Sequence, residues 1–366
     1  MRYYRIGSLQ FYYPDTVSMA FNKSIVKMYR SDLKAASCTV RSGDVSQKMS
    51  ADARNGKAII DITACVQSCF DDNDFTFYYD EGVEKSTLGR NVSLTFGYEL
   101  TDGTSQEAVH EVGVFYIWGA LMRGETLGAR RKYVAWENYP FCMSLWVLGA
   151  GGVVWRNNAS GDTAQKDITE QGMFVCNALE YLREGDRITV SDKGAVMGLT
   201  TFDKSYSYSF QTASVSEGSV IADIEVRADM DGVYLRWIDR HGMWRHWLFA
   251  SGEESRAVTA DGEFVRNQLE NQAETYGMLG NNGRRHTYSR EDTVELCAPL
   301  VDSETFDILQ DLTTSPVVDM YIGKEDDDYA AWQSVTIKDG TYQKTTADLQ
   351  DFVCNMVRND INIQRL

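Results

Sequence analysis

The sequence predicts a mostly β fold, with two or more antiparallel β-sandwich or barrel-like domains and a few short helices. Three observations predict it. Apolar and polar residues alternate over many short stretches, turn-forming pairs recur between those stretches, and the chain has only four prolines. Few prolines suit paired strands, because a residue within a sheet must offer its backbone N–H to a neighbouring strand.

The clearest alternation predicts a strand over residues 92–100, where Val92, Leu94 and Phe96 share one face. Further strands are predicted at residues 75–79, 220–226, 317–322, 331–338 and 349–357. Turns are predicted at five residue pairs: Asn55-Gly56, Asp231-Gly232, Asp261-Gly262, Asn282-Gly283 and Asp339-Gly340.

Two short helices are predicted. Residues 61–70 place Cys65 and Cys69 on one face, with Asp61 as the N-cap. Ser303 is predicted to cap the second helix, over residues 303–313. Its apolar face consists of Phe306, Leu309 and Leu312.

The main domain boundary is predicted near residue 222. It divides the chain into a β-rich N-terminal domain, residues 1–222, which is consistent with two sub-domains, and a β-rich C-terminal domain, residues 223–366. Residues 205–218, rich in serine and tyrosine, fit either a linker or a strand with alternating tyrosines.

Composition restricts the partners and the compartment. The 366 residues carry a formal net charge of −17, which argues against binding nucleic acid or anionic lipid, since both need a basic face. The N-terminus lacks the apolar segment of a secretory signal, and the most apolar stretch, residues 141–155, is shorter than the ~20 residues of a membrane-spanning helix. Seven cysteines without a CxxC pair indicate reduced core thiols and folding in the cytoplasm.

The sharpest local feature is the aromatic stretch over residues 233–249, in which VYLRWID and MWRHWLF flank the loop at Asp239 to Gly242. This pattern predicts a β-hairpin. Four aromatic residues are the interface candidates: Tyr234, Trp237, Trp244 and Trp247. Such rings anchor protein interfaces or stack on sugars, and the alternative is that they are core and cross-strand pairs.

No catalytic, cofactor-binding or metal-binding motif is predicted. His241 and His246 are five residues apart, so on one regular strand they point to opposite faces. Gly149 to Gly152 precede apolar residues typical of a strand, which favours a hairpin turn over a dinucleotide-binding loop. The dense basic spots, Arg130-Arg131-Lys132 and Arg284-Arg285, fit ion pairs with a neighbouring subunit. A glycosidase carboxylate pair leaves no sequence signature.

Several strings together resemble structural proteins of tailed bacteriophages and prophages of gut bacteria, in the tail-tip or baseplate class that includes distal tail proteins. They are FYYPDT near the start, YIWGALMRGE, WENYPF, VYLRWIDRHGMWRHWLF and LVDSETFDILQDLTTSPVV. The resemblance implies β-sandwich domains, self-assembly into a ring and no enzymatic activity, with no catalytic residue.

The expected function is therefore that of a non-enzymatic virion protein, made in the host cytoplasm, which binds copies of itself and adjacent tail proteins. No cofactor, nucleic acid or membrane partner is expected. Two alternatives remain: a glycan-binding or receptor-binding β-sandwich module, motivated by the clustered tryptophans, and a carbohydrate-active enzyme with a hidden carboxylate pair.

Overall fold

A computed structural model describes residues 1–73, 75, 82–122, 124–127, 131–147, 149–177, 182–194, 197–204, 207–214, 218–265, 283–324 and 330–358. The chain divides into two compact units. The first contains residues 1–229, 236–247 and 323–330, and the second contains residues 230–235, 248–322 and 331–366.

The observed division differs from a single boundary at residue 222. Residue 222 lies inside a strand of the first unit, and the chain returns to that unit at residues 236–247 after a short excursion. The cause is the aromatic hairpin, whose tip is buried in the first unit although its strands continue into the second.

The strands up to residue 229 all belong to the first unit. They are β1 Arg2–Ile6, β2 Leu9–Tyr13, β3 Val17–Met19, β4 Ile25–Tyr29, β5 Leu33–Ser42, β6 Val45–Asp52, β7 Lys57–Asp61, β8 Gly82–Lys85, β9 Gly89–Leu100, β10 Ser105–Ile117, β11 Thr126–Leu127, β12 Arg131–Trp136, β13 Met143–Val147, β14 Gly151–Asn157, β15 Thr163–Ile168, β16 Gly172–Asn177, β17 Arg187–Asp192, β18 Met197–Lys204, β19 Ser207–Ser214 and β20 Val220–Arg227.

The later strands are β21 Val233–Ile238, β22 Trp244–Val265, β23 Gly283–Asp302, β24 Val318–Lys324, β25 Ala330–Ser334, β26 Thr336–Ile337 and β27 Leu349–Val357. The described residues also contain two helices, α1 Thr63–Ser68 and α2 Ser303–Leu312. Neither helix has the length and apolar character needed to cross a bilayer. The predicted mostly β fold with several antiparallel sheets and short helices is confirmed.

Two of the cores in the described part of the first unit are sandwich-like. The sheets β1-β2-β4-β7 and β3-β10-β9-β5-β6 enclose one core, which includes Phe11 and Phe96 together with Cys65 of α1. The sheets β12-β20-β17-β14-β15 and β13-β16-β8 enclose the other, which includes Trp155 and Phe174. A separate sheet has the order β11-β18-β19.

The second unit is built on a sheet of order β25-β24-β21-β22-β23-β27-β26, although the ends of some of these strands belong to the first unit. Helix α2 contributes Phe306, Leu309 and Leu312 to the core of the second unit. The ring centroids of Phe306 and Phe352 lie 5.5 Å apart.

Hydrophobic alternation predicted several strands well. Residues 92–100 lie in β9, residues 220–226 lie in β20, and residues 349–357 form β27 with every second side chain buried. The hairpin β18–β19 shows a strand, not a linker, at residues 207–214. The rest of the predicted strand at residues 75–79 lies outside the described residues, apart from Phe75.

Other local predictions were wrong in an instructive way. Asp261-Gly262 does not turn the chain but lies within β22, where Asp261 pairs with Thr287. Gly149 to Gly152 do not close a hairpin, because β13 and β14 belong to different sheets. The cap of α2 is Asp302 rather than Ser303, since the Asp302 carboxylate accepts a hydrogen bond from Thr305 N.

Candidate interaction surfaces

The aromatic stretch forms the predicted hairpin. Strands β21 and β22 are neighbours in the sheet, and Asp239 N donates to Met243 O at 2.8 Å across the turn. Gly242 N donates to Asp239 O, and the φ angle of Gly242 is 76°, a conformation that glycine adopts without steric cost.

All four interface candidates of the hairpin are buried. Tyr234, Trp237, Trp244 and Trp247 are at most 6% exposed. In the first unit the Trp247 ring lies edge-on to Trp136, with centroids 5.0 Å apart. The interface interpretation therefore gives way to the core interpretation, because these rings have no exposed face to offer a partner.

The hairpin tip is fixed in the first unit by close backbone contacts. Ala120 N donates to Arg240 O at 2.6 Å. A Cβ atom added to Gly119 would lie 2.7 Å from the carbonyl carbon of His241, and one added to Gly242 would lie 2.5 Å from Trp118 O. A side chain at either position would clash with the opposite backbone. Glycine at both positions therefore allows the hairpin tip to pack against residues 118–120.

A buried carboxylate organises the same tip. Asp239 is 2% exposed; one of its oxygens accepts hydrogen bonds from His241 N and Met243 N, and the other lies 2.9 Å from Arg245 Nε. Burial alone would raise the pKa of Asp239, but the nearby charges of Arg245, His241 and Arg131 outweigh it, and the pKa is lowered. Asp239 therefore remains ionised and holds the turn.

Glu125 ties a preceding loop to the tip. Its Oε1 lies 2.8 Å from both Arg240 Nη2 and His241 Nε2, and Met122 N donates to its other oxygen. Burial works to raise the pKa of Glu125, yet the hydrogen bonds from His241 and Met122 and the adjacent charges lower it overall. This arrangement is an ion-paired structural tie.

Another polar group of the hairpin, His246, lies beside a buried cysteine. His246 Nε2 lies 3.7 Å from Cys142 Sγ, and burial, together with the charges of Arg236 and Arg245, lowers the pKa of His246 well below its ordinary value. Within the described ranges, no group of three or more His, Cys, Asp or Glu side chains is placed to hold a metal ion. Burial also raises the pKa of Cys38 and Cys176 to about 12, which disfavours the nucleophilic thiolate.

A long two-stranded ribbon extends from the second unit. We call residues 252–265 of β22 and 283–291 of β23 the arm. The six residues of β21 reach along β22 only to about residue 249, and β27 pairs with β23 only from Thr293 onward. In the described part of the chain, the arm therefore has two strands and no third.

The arm is largely exposed at residues 252–259 and 288–289. Residues 251–259 are all exposed, and two of the exposed arm side chains are large and apolar: Val258 at 56% and Tyr288 at 43%. The strand register puts Val258, Ala260 and Tyr288 on one face. The other face carries Thr259 opposite Ser289 and Ala257 opposite Glu291.

An ion cluster stiffens the base of the arm. Asp292 pairs with Arg256 at 2.9 Å and with Arg290, and these two arginines lower the pKa of the Asp292 carboxyl well below its ordinary range. The sequence-predicted basic pair Arg284-Arg285 lies further out, on the arm strand β23.

The outer face of the sheet β1-β2-β4-β7 carries a second exposed surface, which we call the tyrosine face. Its rings are Tyr3, Tyr12 and Tyr29, with centroids 5.0 Å apart between Tyr3 and Tyr12 and 5.4 Å apart between Tyr12 and Tyr29. The strand register and the burial alternation place ten residues on this face: Tyr3, Arg5, Gln10, Tyr12, Ile25, Lys27, Tyr29, Lys57, Ile59 and Asp61.

Sequence reasoning missed both surfaces. The arm lies in a stretch that is polar and weakly patterned, and residues 252–259 are exposed on both faces of β22, so hydrophobic alternation gives no signal there. The tyrosine face was hidden because aromatic residues occupy both faces of β2, so its outward Tyr12 reads as part of the same apolar run as Phe11 and Tyr13. The available signal was the mixture of Tyr with Arg and Lys at alternate positions.

Comparisons with known proteins give no functional assignment. No family model and no curated protein matches the chain. A solved structure of a bacterial ice-binding adhesin is 10% identical, covers 90% of this chain and 97% of its own, and gives a TM-score of 0.18. A bacterial adhesin from Mobiluncus mulieris, with intramolecular disulfide, isopeptide and ester bond cross-links, is 8% identical, covers 61% of this chain and 98% of its own, and gives a TM-score of 0.17.

Proposed function

We propose that the chain is a non-enzymatic structural protein that assembles with copies of itself, as a component of a bacteriophage tail or baseplate. The arm carries this proposal. A two-stranded ribbon alone in water is marginally stable at best, and the arm exposes residues 252–259 and 288–289 with no third strand among the described residues. Such an element is stabilised when a second protein covers it.

The arm suits a second copy of this chain as its partner. At ~3.4 Å per residue, residues 252–265 span about 45 Å, which is long enough to lie across a neighbouring domain. Val258 and Tyr288 offer exposed apolar anchors on one face of the arm. Open edges of the arm also allow strand addition.

The resemblance of the scattered sequence strings to tail-tip and baseplate proteins supports the class of assembly. In that class the subunits close into a ring, contact adjacent tail proteins and need no cofactor, and the protein would reside in the virion after synthesis in the host cytoplasm. Glycan binding through the aromatic hairpin receives no support, because all four of its proposed rings are buried.

The decisive experiment measures the mass of the purified protein by light scattering coupled to size exclusion. We expect a discrete oligomer for the native chain. Replacing residues 257–291 by Asn-Gly keeps the ion pair between Arg256 and Asp292 beside a two-residue turn, and this shortened protein should be a folded monomer. An oligomer of unchanged mass after this excision contradicts the role of the arm.

A pair of point variants tests the same surface without shortening the chain. Val258→Asp combined with Tyr288→Asp replaces the two exposed apolar side chains of the arm by carboxylates and should shift the protein toward monomer. The matched control is Ile322→Asp, which charges another strand residue of the second unit at a similar exposure of 58% and should leave the mass unchanged. Closed rings of the native protein in electron micrographs would support the tail class, whereas a native monomer at every concentration would count against self-assembly.

A further inference from the structure

The tyrosine face differs in charge from the rest of the chain. It carries three cations, Arg5, Lys27 and Lys57, against one carboxylate, Asp61. That carboxylate is engaged, because Lys23 Nζ lies 3.0 Å from it and Thr63 N donates to it at 3.0 Å. In a protein with a net charge of −17, a cationic face of this kind favours an anionic ligand.

The face is also aromatic and open. Tyr3 is 51% exposed, and Ile59 at the opposite edge of the sheet is 48% exposed. The register aligns Tyr3, Tyr12, Lys27 and Ile59 in one row across the four strands. In the adjacent row, Lys57 Nζ lies 5.3 Å from the Tyr29 ring centroid, so a positive charge lies directly beside an aromatic surface.

The dimensions of the face argue against a stable protein partner on this surface alone. Four strands of five residues, at ~4.8 Å between strands and ~3.3 Å per residue, cover about 300 Å². A standard protein interface buries about 800 Å² on each partner. A thin, linear ligand that lies across the strands requires far less area.

We propose that the tyrosine face binds an anionic polysaccharide of the uronic acid class. Sugar rings present C–H faces that pack against amphipathic tyrosine rings, and their hydroxyl groups suit donors and acceptors such as Gln10 and the tyrosine hydroxyls. The uronate carboxylates pair with Arg5, Lys27 and Lys57. This site is independent of the arm, and neither proposal requires the other.

The test is a binding titration of the full chain with alginate, a uronate polymer, and with dextran as a neutral polymer of similar length. We expect saturable alginate binding that weakens as salt is added and much weaker binding of dextran. Tyr12→Ala and Lys27→Glu should each reduce the affinity by about tenfold, which corresponds to about 1.4 kcal/mol. Thermal unfolding of each variant establishes that the fold is retained.

The control is Lys48→Glu, which makes the same charge change on the other sheet of the same sandwich, where Lys48 pairs with Glu107. It should bind alginate as the native chain does. The proposal is overturned if alginate does not bind saturably, if Lys48→Glu weakens binding as much as Lys27→Glu does, or if polyglutamate binds as tightly as alginate. The arm-shortened protein should retain alginate binding, so failure of the assembly proposal and failure of this one are separable.

Discussion

At the scale of single residues, the hairpin tip is organised by one buried carboxylate. Asp239 bonds two backbone N–H groups of its own turn and the side chain of Arg245. The string RHG after Asp239 predicted the turn, but the sequence contains no sign that the aspartate is buried. Residues 117–121, which are distant in sequence, approach the turn closely because Gly119 lacks a side chain.

Asp239→Ala should therefore destabilise the first unit strongly. The substitution removes three acceptor interactions and leaves Arg245, a 7% exposed residue, without its carboxylate partner. Breaking a buried pair in this way costs about 3–5 kcal/mol in the free energy of unfolding. Urea unfolding followed by tryptophan fluorescence measures it. Asp44→Ala, in an exposed turn, is the control and should change stability by less than about 0.5 kcal/mol; equal effects would contradict this account.

His246 makes a second prediction, on pH dependence. Its folded-state pKa lies well below the ordinary value, whereas the unfolded chain takes up the proton near pH 6.5. The stability due to neutral His246 is therefore complete above about pH 6.5 and is lost as the pH falls toward the lowered folded pKa. From about pH 7 to about pH 5 this one histidine can account for a loss of at most about 2 kcal/mol.

In His246→Gln this pH-dependent loss should shrink, as measured by urea unfolding at several pH values. A remainder is expected from His110, whose pKa is also lowered by burial. The carboxyls of Glu125 and Asp239 have lowered pKa values, so their contributions are lost only below about pH 4.5. A His246→Gln profile as steep as that of the native chain between about pH 7 and about pH 5 would show that this histidine is not the cause.

At the scale of elements, the alternation of apolar and polar residues identifies strands that have one buried and one exposed face. It gives no signal where both faces are alike. It located β27 to the residue, because every second side chain there is buried. It did not find the arm, where residues 252–259 are exposed on both faces of β22, nor the outward role of Tyr12, where both faces of β2 carry aromatic residues. Alternation also does not show which strands share a sheet. For example, β13 and β14 follow each other in the chain but belong to different sheets.

Helix α2 gives a prediction that separates the sequence-based cap from the observed one. Asp302 Oδ1 accepts from Thr305 N at 2.8 Å, and the extended backbone of Asp302 is that of an N-cap. Asp302→Ala should lower the free energy of unfolding by about 1 kcal/mol. Ser303→Ala, the substitution at the sequence-predicted cap, should change it by less than about 0.5 kcal/mol. Chemical denaturation measures the free energy of unfolding of both variants. A larger loss for Ser303→Ala than for Asp302→Ala would identify Ser303 as the cap.

At the scale of the whole molecule, neither unit is a continuous piece of chain. The first unit needs residues 236–247, which carry the buried Trp237, Trp244 and Trp247. A boundary drawn from sequence at residue 222 followed composition and turn signals, which carry no information about a hairpin that returns to an earlier core. Membership of the units is set by tertiary contacts and not by any local pattern.

Two fragments test this organisation. A fragment of residues 1–247 contains the hairpin tip, whereas a fragment of residues 1–229 lacks it and leaves open the site where Gly119 meets His241. The shorter fragment should be largely insoluble or lack fixed tertiary structure by near-ultraviolet circular dichroism, and the longer one should be more soluble and better structured. Comparable stability of the two fragments would mean that the tip is dispensable.

Because the hairpin returns to the first unit, the core of that unit cannot be completed until residues 236–247 have been synthesised. A growing chain that has reached Asp229 has all twenty strands of the first unit before the hairpin, yet the place that Trp244 and Trp247 will fill is still empty. Translation of residues 230–247 takes about 1–4 s at ~5–20 residues per second. Throughout that interval the core of the first unit is incomplete, so a pause of the ribosome there would favour capture by chaperones or aggregation, whereas a pause after the tip has emerged would not.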